Sequence, residues 1–448
     1  MSGQDGRHPA APQAGSAARL GRSITQSVGV RAATLPVTAL TTLAMTHTVV
    51  GAVGVPGYAM FALVTTLPAM LPITDLGACA AIVEAITHDR SAERALVRGT
   101  FASAARNLMC AGGLIAAIGV TLALLGVWGE MLGDAAQRGT DLAVAGAAVL
   151  FACSMPLVLG RSVLMAVNRN QTAFALQAAG SVLLLVLVVL LAALGAPTAT
   201  FISAFFFTQC VVGAVGVVLA GRFLRMPLLR IIFRGVRGRE SKDTTPIGHL
   251  AVPMTVVTAA MAVAYATDRI VLSHTADATA VAGYSAGAQF FAPASSLLSA
   301  AGLPLWVLFA HRRASAGSHR RELVRLTVYF GAGGLVMGAV LIAVGPVAGS
   351  WMMHEHIHVS AGLMAAFAAL LLVQALGYPA NMWLTDAGGL RFQATTFSLM
   401  AVVNLAVSIP LARFGAQGPV VGSVASYTAL VLVPTLLKLF GRARPNAR

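Results

Sequence analysis

Long apolar stretches separated by short polar segments dominate the sequence from residue 27 onwards. Each stretch is about 20 to 30 residues long, and about 20 apolar residues in a helix cross the roughly 30 Å hydrocarbon core of a bilayer. The pattern therefore predicts an all-α polytopic membrane protein with about twelve transmembrane helices. Their expected positions are 27–50, 57–86, 101–127, 142–164, 172–194, 198–221, 247–272, 281–310, 322–348, 359–383, 392–412 and 417–440.

The polar segments divide these helices into two equal sets. The longest, 222–246, is predicted to be a basic cytoplasmic linker between an N-lobe at 27–221 and a C-lobe at 247–440. Residues 1–26 are rich in Ala, Gly, Pro and Gln without an apolar signal core, which predicts a disordered cytoplasmic tail, and 441–448 form a second tail. Because each lobe has an even number of helices, both lobes enter the membrane in the same direction. A repeat would then relate the lobes by an axis along the membrane normal, with a central cavity between them.

A weak internal repeat accompanies this division. The segment GYAMFALVTTLPAMLP, from Gly57, parallels GYSAGAQFFAPASSLL, from Gly283, and each follows the first helical hairpin of its lobe. Two related lobes around a central path are typical of transporters.

Composition and charge support a membrane protein and set its orientation. The mean hydropathy is +0.81 and only 10% of residues are charged, against about 25% in soluble domains. The net charge of +15 does not indicate a nucleic-acid partner, because no stretch outside the apolar segments can fold into a basic domain. Instead, all Lys and Arg except Arg138, Arg269 and Arg413 fall on one side of the twelve-helix topology. The positive-inside rule then predicts a multi-pass protein of the cell membrane with both termini in the cytoplasm.

The first predicted helix carries polar side chains along one face. Arg31, Thr34 and Thr38 lie at helical spacing, and ionisable groups at membrane depth usually face an interior. Arg106 and Arg161 stand at the cytoplasmic ends of the third and fourth helices, where they could complete a cationic vestibule with Arg31. Guanidinium groups bind phosphate oxygens bidentately, so we predict substrate binding here. The alternative is that positive-inside topology and snorkelling alone place these arginines.

The seventh predicted helix, the repeat partner of the first, has a similar face. Thr258, Tyr265 and Asp268 share it, with Arg269 adjacent. We predict substrate binding for Thr258, and gating or ion coupling for Asp268 and Arg269. The alternative is a local Asp–Arg pair that closes the outer end of the helix.

Asp75 is a further candidate for gating or ion coupling. It follows Pro68 and Pro72 in the second predicted helix, and prolines there free carbonyl groups and favour a kink. Asp75 would then either cap a broken half-helix or bind a coupling cation.

Motifs for catalysis or cofactor binding do not accompany these residues. The HEHIH segment at 354–358 lacks HExxH spacing and could chelate a metal only in an extended conformation, so a solvated loop is the favoured interpretation. We predict no metal and no cofactor, and a transporter rather than an enzyme.

Three segments resemble a known family. VGVPGYAMFALVTTLPAMLPITDLGACAAIV (53–83), AVNRNQ (166–171) and TDRIVLSHTADATAVAGYSAGAQF (267–290) are similar to polysaccharide exporters of the multidrug/oligosaccharidyl-lipid/polysaccharide superfamily, in particular O-antigen and teichoic-acid flippases. The resemblance implies two six-helix lobes, a cationic cavity, and alternating access that exports a lipid-diphosphate-linked oligosaccharide for cell-surface polysaccharide assembly. It carries the expectation of cavity cations onto Arg31, Arg161 and Arg106. The partners implied are the lipid-linked substrate, membrane lipids and other polysaccharide-assembly proteins.

Other functions remain open at this point. A multidrug or cation antiporter of the same superfamily would use Asp268 or Asp75, although the first helix has His47 and no acidic residue. A membrane glycan polymerase is less favoured, because the outer connections are short. A scaffold with a closed cavity is the last alternative.

Overall fold

The computed structural model of the protein describes residues 14–70, 93–133, 136–137, 139–167, 169–234, 248–313, 320–354 and 357–440. Within these ranges the secondary structure is helical and no strand occurs. Ten of the described helices are long and apolar enough to cross a membrane. The prediction of an all-α, multi-pass membrane protein is therefore confirmed.

The described helices divide into those before residue 235 and those after residue 247. Those of the first half are α1 (Ala14–Thr66), α2 (Glu93–Leu124), α3 (Val127–Leu132), α4 (Thr140–Ser154), α5 (Leu159–Ala166), α6 (Asn170–Ala193), α7 (Thr198–Leu224) and α8 (Leu228–Arg234). Those of the second half are α9 (Gly248–Thr275), α10 (Ala278–Arg313), α11 (Arg320–Met352), α12 (Ala361–Trp383), α13 (Ala387–Leu411), α14 (Gln417–Tyr427) and α15 (Val433–Phe440). A π turn, Thr428–Leu432, joins the last two into one candidate span.

Helix α1 contains a sharp break at Gly54. Its φ of 72° and ψ of 178° are accessible to glycine and strained for other residues. Thr42 and Thr65 would be about 35 Å apart along a straight helix, yet both line one cavity. The chain therefore doubles back at Gly54, and α1 includes the predicted first helix and the start of the second. It ends at Thr66, just before a 3-10 turn that contains Pro68.

Two segments differ from the predicted domain boundaries. Helix α1 begins at Ala14, so residues 14–26 of the predicted disordered tail are helical, as the high helix propensity of their alanines allows. Helix α8 lies inside the predicted linker: Leu228, Ile231 and Ile232 are buried, whereas Arg230 is exposed. The buried face of α8 packs against the first half, so the start of the predicted linker is part of that half.

The same packing pairs recur in both halves. In the first half α1 packs on α6, α2 on α4, and α4 on α7; in the second half α9 packs on α13, α11 on α12, and α12 on α14. Glycines permit the closest of these contacts. A Cβ at Gly334 would lie 2.8 Å from the Cβ of Ala375, so α11 and α12 pack almost backbone to backbone there.

The two halves pack against each other near Gly54. The largest buried cluster combines Val49 and Phe201 of the first half with Leu272, Val281 and Met364 of the second. All five side chains are less than 3% exposed. This end of the molecule, which we call the Gly54 end, is therefore closed by apolar packing.

Candidate functional site

A cavity of about 570 Å³ opens within the first half of the chain. Its walls come from α1, the Pro68 turn, the α4–α5 segment, α6 and α7. The described lining is largely apolar, and its polar side chains are those of Thr41, Thr42, Thr65, Ser154, Arg161, Gln177, Ser181, Thr208 and Gln209. Among the described lining residues, Arg161 is the only charged one, and none carries a carboxylate.

A break in the fourth predicted helix places Arg161 at this cavity. Pro156 starts a 3-10 turn, Met155–Val158, between α4 and α5. A Cβ at Gly160 would collide with the backbone nitrogen of Val217, so α5 packs directly on α7 at this point. The next residue, Arg161, is exposed and lines the cavity. The side chain of Arg161 thus lines the cavity, where no described lining residue carries a carboxylate.

The hydroxyl groups of the cavity mostly donate to their own helices. Thr42 Oγ1 lies 2.7 Å from the Thr38 carbonyl oxygen, Thr65 Oγ1 lies 2.7 Å from that of Phe61, and Thr208 Oγ1 lies 2.8 Å from that of Ala204. Their oxygens keep lone pairs that can accept from a ligand. Arg161, Gln177 and Gln209 supply the side-chain N–H donors. This mixture can bind a phosphate at one point and sugar hydroxyls at others.

Arg106, Thr38 and Thr258, three of the other predicted substrate-binding residues, are not among the described residues that line this cavity. Arg106 lies on α2, which contributes no described lining residue. Thr38 donates to the Thr34 carbonyl oxygen at 2.6 Å, one turn from the lining threonines. Thr258 is exposed on α9 and donates to the Met254 carbonyl oxygen at 3.0 Å. Arg31 is in α1, but its side chain lies outside those the structure describes.

Asp268 lies at the centre of a buried polar cluster in the second half. Its carboxylate is 1% exposed, and its Oδ2 accepts from the Tyr284 hydroxyl at 3.1 Å and the Ser423 hydroxyl at 3.4 Å. Its Oδ1 has no hydrogen-bond partner among the described residues. Nearby, buried Asn404 donates to the Ala264 carbonyl oxygen at 2.9 Å and accepts from the Ser426 hydroxyl at 3.1 Å.

Arg269, the next residue, has different partners. Its guanidinium donates to Thr66 Oγ1 of the first half and lies 5.7 Å above the Tyr284 ring. It therefore bridges the two halves, while Asp268 binds groups within the second half. The other candidate for gating or ion coupling, Asp75, lies outside the described residues.

Gln289 is a functional candidate that the sequence analysis did not select. On α10, it accepts from Thr46 Oγ1 at 2.8 Å and donates to the Tyr58 hydroxyl at 2.7 Å, so one amide joins α10 to both arms of α1. The candidates predicted from the sequence are ionisable residues and threonines within the spans or at their ends. The sequence feature that could have identified Gln289 is a glutamine within an apolar segment, which Gln177 and Gln209 share.

An all-helical membrane fold that encloses a polar cavity is typical of transporters. Residues 35–307, more than half of the chain, match the family model described as polysaccharide biosynthesis protein. The protein belongs to this family. A search of curated proteins gives no match.

Solved structures with the same fold are transporters. An inward-facing multidrug resistance MATE family transporter of the MOP superfamily superposes with a TM-score of 0.70 at 14% identity, over 94% of this chain and all of the other. A MOP superfamily transporter from Pyrococcus furiosus gives 0.62 at 12% identity, covering 93% and 95%. The lipid II flippase MurJ, inward closed, gives 0.59 at 11% identity, covering 91% and 87%. The resemblance to flippases of this superfamily is therefore confirmed, and the chain shares the fold of these transporters.

Proposed function

We propose that the protein is an alternating-access flippase that exports a lipid-diphosphate-linked oligosaccharide from the cytoplasmic to the outer leaflet. The observation that carries this proposal is the cavity of the first half, where the exposed guanidinium of Arg161 stands among neutral hydroxyl and amide groups. Such a lining matches an anionic phosphate joined to a polyhydroxylated sugar.

The charge of the cavity distinguishes this function from cation export. A carboxylate at the substrate would favour a cationic drug, whereas an arginine there repels a cation. The described lining carries no carboxylate. We therefore prefer the flippase to the antiporter.

We further propose a twelve-helix arrangement of two lobes with both termini in the cytoplasm. The recurring helix pairs support two related lobes. The break at Gly54 inside one candidate span, together with the 36-residue α10, supports two helices beyond the ten. In this topology the Gly54 end faces outwards. Since that end is closed by apolar packing, the structure corresponds to a state with its outer side shut.

The membrane potential supplies a direction for this transport. Moving two negative charges outward across an inside-negative membrane is favoured by about 4–5 kcal/mol at 100 mV. We assign ion coupling to Asp268, since its buried Oδ1, which has no hydrogen-bond partner among the described residues, suits a coupling cation. Polysaccharide-assembly enzymes that supply and use the lipid-linked substrate are the proposed partners.

Replacement of Arg161 tests the proposal. We expect Arg161→Ala to slow flipping of a labelled undecaprenyl-diphosphate sugar by about 10- to 100-fold, the loss of one charge-assisted contact. The measurement uses purified protein in liposomes, where an impermeant reductant quenches the label in the outer leaflet. Arg161→Lys should recover part of the rate, because it keeps the charge without the bidentate fork.

Arg222→Ala is the matched control. Arg222 is exposed in the last turn of α7, a cavity-wall helix, but it does not line the cavity. Its replacement should leave the rate unchanged. Full activity of Arg161→Ala, or equal losses in both variants, would contradict the proposed site.

A further inference from the structure

A second exposed guanidinium lies close to the cavity, in the turn between α5 and α6. The guanidinium carbon of Arg169 lies 4.8 Å from the centre of the Phe223 ring, near the end of α7. A cation in this position is attracted to the face of the ring. The two side chains therefore hold each other between the start of α6 and the end of α7, and we call them the rim pair.

The rim pair lies at the end of the cavity away from the Gly54 end. Arg169 precedes Ala173, the first described lining residue of α6, by one helical turn. Phe223 follows Gly216, the last such residue of α7, by two turns. Offsets of four and seven residues keep side chains on one face of a helix. Thr198, at the opposite end of α7, lies at the Gly54 end, so in the proposed topology the rim pair faces the cytoplasm.

Backbone hydrogen bonds hold Arg169 beside the cavity wall. Its amide donates to the Leu164 carbonyl oxygen at 2.8 Å, and its carbonyl oxygen accepts from the amides of Thr172 and Ala173 at 3.1 and 3.3 Å. Leu164 and Ala173 both line the cavity. The backbone of Arg169 is thus joined to the wall, while its side chain remains exposed.

The guanidinium of Arg169 keeps its hydrogen-bonding capacity for a ligand. Among the described residues its side chain contacts the Phe223 ring and makes no hydrogen bond or ion pair. A guanidinium above a ring face carries its five N–H groups at its edges, where phosphate oxygens can bind. The ring therefore orients the guanidinium without occupying its donors.

The sequence around the rim pair is cationic. Residues 142–239 contain eight arginines and no acidic residue. Asp141, the last acidic residue before this stretch, accepts from the Trp128 amide at 3.2 Å, at the end of α4 away from α5. The side chain of Glu93, at the start of α2, lies outside those that the structure describes. An anion that approaches α5, α6, α7 or α8 therefore meets no carboxylate from these helices.

Arg161 and Arg169 are separate binding points for one kind of group. Two turns of helix, roughly 11 Å, separate them along the chain, and Met165, which is exposed, lies midway. A diphosphate is too short to bind both at once, because its two phosphorus atoms share one bridging oxygen. A diphosphate that reaches Arg161 past the rim pair would therefore bind the two guanidinium groups in turn.

We propose that the rim pair is an entry site, where the diphosphate of the lipid-linked substrate binds before it moves on to Arg161. This inference rests on the proposed function for its substrate and for the orientation of the protein. Anionic lipid head groups gather beside arginines at the inner membrane surface. A head group held there lies next to the cavity, so entry becomes a transfer from one guanidinium to another.

Saturation kinetics in liposomes test the entry site. The measurement is the flipping rate of the labelled undecaprenyl-diphosphate sugar at increasing mole fraction in phosphatidylcholine. We expect Arg169→Ala to raise the mole fraction that gives the half-maximal rate about tenfold, for the loss of one charge-assisted contact. The maximal rate should stay within about twofold, because a site used before the transport step affects loading and not the step itself.

Three further variants separate the rim pair from general surface charge. Arg169→Lys keeps the charge without the fork, and Phe223→Leu keeps every charge without the ring face, so each should raise half-saturation about threefold. Arg222→Ala removes an exposed charge beside Phe223 and should change neither quantity. Unchanged half-saturation in Arg169→Ala or Phe223→Leu, or an equal rise in Arg222→Ala, would overturn the entry site. Thermal unfolding checks that each variant is folded.

Anionic phospholipids carry the other phosphate groups at this surface. Replacing half of the phosphatidylcholine by phosphatidylglycerol should leave the half-saturation of the unmodified protein within about twofold, since a diphosphate offers more charge and more acceptor oxygens than a phosphodiester. A rise of about tenfold that Arg169→Ala abolishes would assign the rim pair to phospholipid head groups and overturn the proposal.

Photocrosslinking separates failure of the entry site from failure of the proposed function. A benzophenone amino acid in place of Met165, in the Arg161→Ala background, reports occupancy of the rim pair by labelled undecaprenyl diphosphate without transport. Adding Arg169→Ala should lower the yield about tenfold, towards that of the same group in place of Leu194 at the Gly54 end. Crosslinking that depends on Arg169 in a protein that does not flip the lipid would keep the site and remove the flippase. Flipping that depends on Arg161, with crosslinking independent of Arg169, would do the reverse.

Discussion

The side chains of Asp268 and Arg161 occupy opposite environments in the membrane. Asp268 is buried, with two hydroxyl donors on one oxygen and none on the other among the described residues. Arg161 is exposed to a cavity. A buried carboxylate with an open acceptor takes up a cation or a proton, whereas an accessible guanidinium binds a passing anion.

Replacement of Asp268 by Asn separates a coupling role from a structural one. The Asn carbonyl oxygen can accept from Tyr284 and Ser423 as Oδ2 does, so we expect folding to be retained, with the free energy of unfolding within about 1 kcal/mol. We expect the dependence of flipping on sodium or on a pH gradient to disappear. The measurement is the liposome rate with and without each gradient.

Asp386→Asn is the control for this charge removal. Asp386 caps α13 through a 3.3 Å bond from the Gly389 amide, and Asn caps helices equally well. This variant should keep every gradient dependence of the unmodified protein. Gradient dependence that survives in Asp268→Asn would rule out ion coupling at Asp268.

The sequence identified these two residues but not their surroundings. Helical spacing was enough to select Asp268, and position at a helix end was enough to select Arg161. The partners could not be predicted, because Ser423 lies 155 residues from Asp268 and only tertiary packing brings them together. Gln289 was missed for the same reason: its role comes from two contacts with residues more than 230 positions away.

Helix breaks shape the cavity at the scale of elements. The apolar pattern predicts where spans lie, with bounds within several residues for α6, α7 and α12. The predicted break between residues 50 and 57 contains the reversal at Gly54, whereas the 3-10 turn at Met155–Val158 lies inside a single predicted helix. Pro156 is the local sequence signal for this turn.

The contact between α5 and α7 is a testable element of the cavity wall. A Cβ at Gly160 would lie within 2.8 Å of backbone atoms of Gly216 and Val217. Unlike the end of a side chain, these atoms cannot move aside by a bond rotation. We expect Gly160→Ala to lower the free energy of unfolding by about 1–3 kcal/mol and to reduce flipping by displacing Arg161. Thermal unfolding in detergent and the liposome rate measure the two effects.

Gly113→Ala provides the matched comparison. Gly113 is in the interior of α2, and a Cβ there would meet nothing within 4 Å. Since alanine favours a helix over glycine, this variant should be unchanged or up to about 1 kcal/mol more stable. Equal effects of the two substitutions would show that helix propensity, and not the α5–α7 contact, governs stability at Gly160.

At the scale of the whole molecule, the two halves share a packing pattern but differ in their polar content. The first half encloses a cavity, and the second half buries a hydrogen-bonded cluster. Arg269 and Gln289 reach from the second half to the first. Closure of the Gly54 end therefore depends on a few polar bridges in addition to apolar packing.

Gln289→Leu should weaken that closure. The change removes the bonds that the buried hydroxyls of Thr46 and Tyr58 make to the Gln289 amide, while the hydrogen bond between these two hydroxyls remains. We expect the closed state to lose about 1–3 kcal/mol. The distance between spin labels on cysteines at Leu194 and Phe414, which are 79% and 69% exposed at the Gly54 end, should therefore lengthen in a pulsed electron resonance measurement. Thermal unfolding of the same protein checks that it remains folded.

Gln393→Leu distinguishes loss of a bridge from loss of a buried amide. Gln393 donates to the carbonyl oxygens of Asn381 and Leu384, both within the second half. This substitution should destabilise the protein without lengthening the spin-label distance. The bridge hypothesis fails when both variants lengthen it equally, or when neither does.

The guanidinium of Arg161 also has a consequence for the unloaded protein. Since no described lining residue carries a carboxylate, we expect anions from the adjoining solution to balance the charge of Arg161. Under the proposed function, loading of the diphosphate substrate is then an exchange of counter-ions, and the freed anion gains entropy on release. The apparent affinity for the substrate should consequently fall as ionic strength rises. The salt concentration outside the membrane then influences how readily a site within the membrane is filled.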